Sequence, residues 1–203
     1  MIDLKGKVWV DFGLRESGKS TFADHVLTTY GELALYYDTV HEAPIDSKYD
    51  IYQPKDRYSV FELETVVKTI TPANINQLPK YRMFVIDEAN RFCPSKPSPL
   101  PPSIADLNDQ CRHYLMSVGF IARRPSQLNQ DLTELADYVF LFHLTGKNDK
   151  AYLESLKQGL GDAVETLENH RFICLFPDRH FELMEAIKPT ENWMKKSHNL
   201  INR

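Results

Sequence analysis

Apolar residues recur along this chain in two rhythms, and the two alternate. Short, dense runs rich in β-branched and aromatic residues mark buried strands. Stripes spaced three or four apart mark helices. Residues 7–12 (Lys-Val-Trp-Val-Asp-Phe) form the first strand, and residues 21–30 follow as a helix carrying Phe22, Val26 and Tyr30 on one side, with Gly31 as its stop. Residues 33–40 read as a second strand and residues 50–53 as a short extended piece before Pro54. Residues 59–70 read as a helix opened by a capping box of Ser59 and Glu62. A continuous apolar strand spans 82–88. Residues 103–116 predict a helix capped by Ser103, residues 118–122 a fourth buried strand and residues 137–144 a fifth. Helices are predicted over 149–156 and 162–169, then a terminal hairpin of 171–176 and 180–187 across Pro177-Asp178-Arg179. Strand and helix in alternation predict an α/β fold: a mainly parallel sheet with helices on both faces and a C-terminal β-hairpin.

Two joints of this pattern carry chemistry. Between the first strand and the first helix stands Gly13-Leu14-Arg15-Glu16-Ser17-Gly18-Lys19-Ser20, followed by Thr21, which matches G-x-x-x-x-G-K-S/T in full. Its glycines let backbone N–H groups turn toward phosphate oxygens, and the helix that follows offers its positive end to the same anion. Lys19 is expected on the β- and γ-phosphates and Ser20 on a magnesium ion. The second joint is the end of the apolar strand, where Asp87 and Glu88 stand side by side. After a complete phosphate loop, Asp87 is expected to hold magnesium and Glu88 to activate water as general base. These residues predict an ATP- and Mg2+-dependent enzyme.

Composition narrows the setting. At 203 residues, 42% hydrophobic and 26% charged, the chain is sized for one well-packed core. One ATPase domain is expected over residues 1–190, with a polar tail over 191–203. No apolar run reaches the length of a membrane span, and the first residues lack a signal-peptide pattern, so a soluble, intracellular protein is expected. Cys93, Cys111 and Cys174 are odd in number and widely spaced, as reduced packing thiols are; neither they nor the histidines suggest a zinc site. The net charge of −4 gives no global basic face. Any DNA contact must come from local positions multiplied by oligomerisation. Residues 94–102, Pro-Ser-Lys-Pro-Ser-Pro-Leu-Pro-Pro, are expected to be a stiff exposed connector.

The order of these features resembles the FtsK/HerA superfamily of DNA-pumping ATPases: phosphate loop, Asp-Glu strand, a helix with Arg112, then a strand running into Arg123-Arg124-Pro125-Ser126. The small size and the segment 119–128 are most similar to the genome-packaging ATPases of membrane-containing icosahedral viruses. The resemblance implies a RecA-like, additional-glutamate fold over residues 7–187. It also implies a homo-oligomeric ring moving double-stranded DNA, viral capsid or membrane proteins as partners, and a place at a packaging vertex of the virion. One arginine would act on the neighbouring subunit's nucleotide; Arg112 fits best, with Arg123 and Arg124 as rivals. Arg123 stands where the family commonly has a glutamine that senses the γ-phosphate. Lys96, Lys147 and Lys150 are candidate DNA contacts. A HerA-like cellular helicase or secretion ATPase, a small kinase and a nucleotide-dependent switch are the alternative readings.

Overall fold

The computed structural model describes residues 2–44, 46–74, 77–191 and 194; most of the expected polar tail lies outside them. The elements run β1 (Val8–Phe12), α1 (Lys19–Tyr30), β2 (Ala34–Tyr37), β3 (Asp50–Tyr52), α2 (Val60–Ile70), β4 (Met83–Ile86), α3 (Pro102–Gln110) and β5 (Ser117–Ala122). They continue with α4 (Gln130–Glu134), β6 (Tyr138–Leu141), α5 (Lys147–Leu156), α6 (Leu160–Glu165), β7 (Phe172–Leu175) and β8 (Phe181–Met184). The strands form one eight-stranded sheet in the order β3-β2-β4-β5-β1-β6-β7-β8. The six strands from β3 to β6 are parallel, and β7 and β8 close the far edge as an antiparallel hairpin. This is the expected α/β architecture, with the extended piece at 50–53 promoted to an edge strand.

Parallel strands covered on both faces have no outward-facing positions, and β1, β4 and β5 are buried at every residue. Two apolar layers sandwich them. One gathers Val10, Phe12, Leu63, Phe84, Ile86, Leu107 and Phe120. The other gathers Trp9, Phe22, Val85, Ile121, Phe140 and Phe172. The central strand β1 carries the largest buried ring, Trp9, and Gly119 on β5 makes room for it: a Cβ at Gly119 would lie 2.1 Å from the Trp9 ring.

Several boundaries differ from the sequence expectation, each for a local reason. The strand expected over 33–40 is reduced to β2: residues Gly31–Leu33 form a 3-10 turn before it, and after it Asp38 turns the chain, its carbonyl accepting from the His41 N–H and its carboxylate from the N–H groups of Glu42 and Ala43. Ser103 is not a helix cap. The helix begins at Pro102, whose missing N–H suits a first turn, and Ser103 instead donates its N–H and hydroxyl to Glu64 Oε1 at 3.1 and 2.9 Å. That helix ends at Gln110, and Leu115 in a left-handed conformation (φ 55°) turns the chain before β5. Ser59 caps α2 as expected, accepting from the Glu62 N–H at 3.1 Å, but the Glu62 carboxylate accepts from the N–H groups of Lys55 and Asp56 rather than completing a box. Helix α6 starts ahead of Asp162 because the Glu154 carboxylate accepts from the N–H groups of Gly159, Gly161 and Asp162. Helix α4, absent from the sequence reading, is capped by the Asn129 side chain on the Asp131 N–H.

The proline-rich connector is held by its own chain: Ser95 N–H donates to the Gln127 carbonyl at 3.1 Å and Asn129 Nδ2 to the Ser98 carbonyl at 3.0 Å. The three cysteines are free and buried. Among the described residues, no helix is long and apolar enough to cross a membrane.

Candidate active site

The register of the parallel strands assembles the site. Phe12 on β1 lies opposite Ala122 on β5, and Phe120 on β5 lies opposite Ile86 on β4. Three segments therefore leave the carboxyl edge of the sheet together: the loop from Gly13, the pair Asp87-Glu88, and Arg123. Sequence reasoning named all three, and the fold brings them together at the edge where open α/β sheets take their ligands.

The loop turns on Gly18, whose φ of 114° excludes a side chain without strain, and α1 starts at the next residue. No side chain caps that helix start, so its amides are directed at the space over the loop. Lys19 Nζ donates to the carbonyls of Gly13 and Leu14 at 2.6 and 2.8 Å, and burial lowers the pKa of its ammonium. The Ser17 hydroxyl is buried with no hydrogen-bond partner among the described residues.

Asp87 is fixed through its backbone: its N–H donates to the Tyr37 carbonyl at 3.1 Å, and its own carbonyl accepts from the Thr39 hydroxyl at 2.8 Å. Burial, reinforced by the charges of Glu88 and Asp38, pushes its carboxyl up to about 7. Glu88 adopts a left-handed backbone (φ 48°), a conformation that costs about 1–3 kcal/mol at a non-glycine residue and redirects the side chain away from the strand. Its carboxylate accepts from Arg123 Nε at 2.7 Å, and Arg91 Nε lies 3.9 Å away on the other oxygen.

Two residues of the site escaped the sequence reading. Asp11 on β1 is fully buried, with neither carboxylate oxygen hydrogen-bonded among the described residues. Burial raises its carboxyl to about 8, while the nearby Lys19 ammonium pulls it down and Asp87 pushes it further up. Asp38, at the end of β2, holds the adjacent loop by accepting from the N–H groups of Glu42 and Ala43 at 3.0 and 2.9 Å. A single Asp inside an alternating strand gave no signal that it would come within electrostatic reach of Lys19 and Asp87.

A cleft of about 620 Å³ opens beside the loop, lined by residues from Glu16 to Thr21, by Phe142 and His170, and by the segment after β8 that includes Ile187 and Pro189. This second wall was not legible locally either, because it comes from the far end of the chain.

The other arginines lie elsewhere. Arg112 sits at the opposite, amino edge of the sheet, beside Gly6, with its guanidinium 3.4 Å from Asp137. Asp137 also accepts from Lys7 Nζ at 2.9 Å and the Val8 N–H at 3.0 Å. Arg124 pairs at 3.0 Å with Asp149, a buried carboxylate that also accepts from the Ser126 hydroxyl at 2.7 Å. Lys96 pairs with Asp131, and Lys150 with Asp162 and Glu165, all at exposed positions. Lys147 starts α5.

Among the described residues, no group of three or more His, Cys, Asp or Glu side chains is arranged to hold a metal. Magnesium beside nucleotide phosphates needs only one or two protein oxygens. The buried, charge-strained Asp87 carboxyl and the Ser20 hydroxyl in the first turn of α1 fit that short donor set.

No protein-family model and no curated protein matches this sequence. Solved structures do match its fold, the RecA-like P-loop NTPase fold. The genome packaging NTPase B204 from Sulfolobus turreted icosahedral virus 2, in complex with ATP-gammaS, is similar with a TM-score of 0.74 at 15% identity, over 90% of this chain and 98% of that one. B204, the DNA-packaging ATPase from Sulfolobus turreted icosahedral virus, gives a TM-score of 0.70 at 16% identity, over 92% and 100%. The N-terminal domain of zonular occludens toxin from Neisseria meningitidis is more distant, with a TM-score of 0.51 at 13% identity over 90% and 95%.

Proposed function

We propose that this chain is a magnesium-dependent ATPase that drives double-stranded DNA as a ring, in the packaging of a viral genome. The observation that carries the reading is the register that sets the phosphate loop, Asp87-Glu88 and Arg123 on one sheet edge. The likeness in fold to packaging NTPases directs it toward DNA translocation.

In this account the amides of residues 13–21 and the Lys19 ammonium bind the phosphates, and α1 adds its positive end. Ser20 and Asp87 hold magnesium, which when bound neutralises charge on the transferring phosphoryl group. Glu88 orients a water and accepts its proton, worth about 10²–10⁴ in rate. The cleft beside the loop, walled by Phe142, His170 and Pro189, takes the base and ribose. Arg112 lies too far round the molecule to serve its own site. In a head-to-tail ring the amino edge of one subunit can face the carboxyl edge of the next, so Arg112 completes the neighbour's charge balance. Lys96, Lys147 and Lys150 are the proposed duplex contacts; two of them must leave exposed ion pairs, which cost little to break. Residues 1–190 act as one ATPase unit.

Phosphate release measured over a range of protein concentrations, with and without duplex DNA, tests the proposal. Turnover per chain is expected to rise steeply as rings form and to rise again with DNA. Turnover that is independent of concentration in a confirmed monomer contradicts the shared site. Transfer of phosphate to a small acceptor instead of water identifies a kinase.

A further inference from the structure

We infer that Asp24, a buried carboxylate in α1, is a positioning residue for the nucleotide: it fastens the strap of chain after β8 beside the phosphate loop and so slows release of whatever fills the cleft. The inference rests on the nucleotide reading above and adds to it the group that holds the outer wall of that cleft in place.

β8 ends at Met184, and residues 185–190 continue without regular secondary structure. Ala186, Ile187, Lys188 and Pro189 of this strap line the same cleft as Glu16 to Thr21. Two fastenings hold it. At its start, Arg171 donates Nε and Nη2 to the two carboxylate oxygens of Glu185 at 3.2 and 2.9 Å. The Glu185 side chain is 79% exposed, and an ion pair that open to water holds little. At the far end the Thr190 hydroxyl donates to Asp24 Oδ2, and Asp24 is only 2% exposed.

Asp24 lies one helical turn beyond Ser20, so the strap is tied to the helix whose first turn opens on the phosphates. Its other oxygen, Oδ1, accepts from the Tyr49 hydroxyl at 2.9 Å. Tyr49 stands just before β3, and its ring meets that of Tyr36 on β2 edge-on with centroids 6.3 Å apart. β3 and β8 are the two edges of the sheet, so a segment from each edge reaches this one carboxylate. A hydroxyl bonded to a buried carboxylate makes a charge-assisted hydrogen bond, and removing it leaves a buried acceptor without its donor. Of the two fastenings, the one on Asp24 therefore decides where the strap sits.

A wall that is already ordered is one the ligand does not have to order on binding. If the Thr190 bond is lost, base and ribose lose a fixed wall while the phosphates keep the loop amides and Lys19. Two probes separate these effects: ATPγS, which fills the cleft, and inorganic tripolyphosphate, which carries the phosphates and has nothing to touch the strap. Affinity and dissociation rate are measured, with magnesium, for the wild type, Thr190→Val, Thr190→Ala and Thr190→Ser. The valine and alanine variants are expected to release ATPγS on the order of tenfold faster, the worth of one charge-assisted hydrogen bond, with tripolyphosphate affinity held within about twofold. Thr190→Ser, which keeps the hydroxyl, is expected to behave as the wild type.

Unchanged release of ATPγS from the valine and alanine variants overturns the inference. Equal weakening of tripolyphosphate overturns it too, because Asp24 and Thr190 would then support the loop itself and not the strap. Release from Thr190→Ser as fast as from Thr190→Val assigns the effect to the lost methyl group and removes the role of the hydroxyl. A wild-type chain that binds neither probe removes the nucleotide reading and the fastening with it, whereas a wild type that binds both and is matched by its variants removes the fastening alone.

Discussion

The two edges of the sheet are built from the same ionic parts and keep them in opposite condition. At the amino edge, Asp137 meets Lys7, the Val8 N–H and Arg112, so its charge is answered from three directions. At the carboxyl edge, Glu88 is paired with Arg123, but Asp11 has no hydrogen-bond partner among the described residues and feels the charge of Asp87, which in turn feels that of Glu88. Burial pushes Asp11 to about 8 and Asp87 to about 7, and burial likewise lowers the Lys19 ammonium. A sheet needs nothing of that kind at its end for stability, as the amino edge demonstrates. Groups held in charge strain with a nearby cleft mark the edge that waits for a charged ligand.

The sharpest way to break the comparison is to ask whether the amino edge has a role outside its own chain. Arg112→Ala is expected to cut ring-dependent ATP turnover by about a thousandfold or more while leaving nucleotide affinity unchanged, measured by phosphate release and by ATPγS titration. An unchanged rate would return the amino edge to a purely structural part. Next in size, Glu88→Gln should lower turnover by about 10²–10⁴ with the nucleotide still bound, since it removes the base but keeps the shape.

Asp11 sharpens the contrast through pH. A carboxyl whose folded pKa is raised keeps its proton in the folded chain while the unfolded chain has lost it, so the contribution of Asp11 to stability is greatest near or below the unfolded value of 3.8 and falls as pH rises toward about 8. The melting temperature of the protein without nucleotide should therefore drop between pH 5 and pH 8, and Asp11→Asn should drop by about 10 °C less. Equal slopes in the two proteins would mean that Asp11 finds a partner in solution. The smallest effect is expected at the amino edge itself: Lys7→Ala should cost about 1 kcal/mol or less in a denaturant titration and leave ATPγS affinity alone.

Much of the carboxyl edge was legible in the sequence because its parts are local. The loop Gly13 to Ser20 is a contiguous spacing, and Asp87-Glu88 is an apolar run that stops abruptly at two acids. Strand and helix alternation then fixed a parallel sheet, since parallel neighbours require crossovers. What stayed hidden depends on contacts across long stretches of chain. Asp11 is one polar residue in an alternating strand, and Asp87, whose charge it feels, stands at the end of β4 with β5 between the two strands, an arrangement that exists only after folding. The cleft wall formed by His170 and residues 186–189 is assembled when the hairpin closes the sheet. Ser103 was misread as a cap because a serine before an apolar run fits the pattern, whereas the preceding proline had already set the helix start. Arg112 lies close in sequence to β5, yet it stands at the entrance of that strand rather than its exit. Proximity along the chain cannot separate two ends of a strand.

The central claim is that a triphosphate and its metal lie between the Gly13–Thr21 turn and the acidic end of β4. A crystal structure with ATPγS and magnesium tests it most directly. The phosphates are expected along residues 13–21, with the γ-end facing Glu88 and Arg123 and the metal on Ser20 and Asp87. A nucleotide bound elsewhere, or carboxyls of Asp87 and Glu88 turned away from it, would contradict the account.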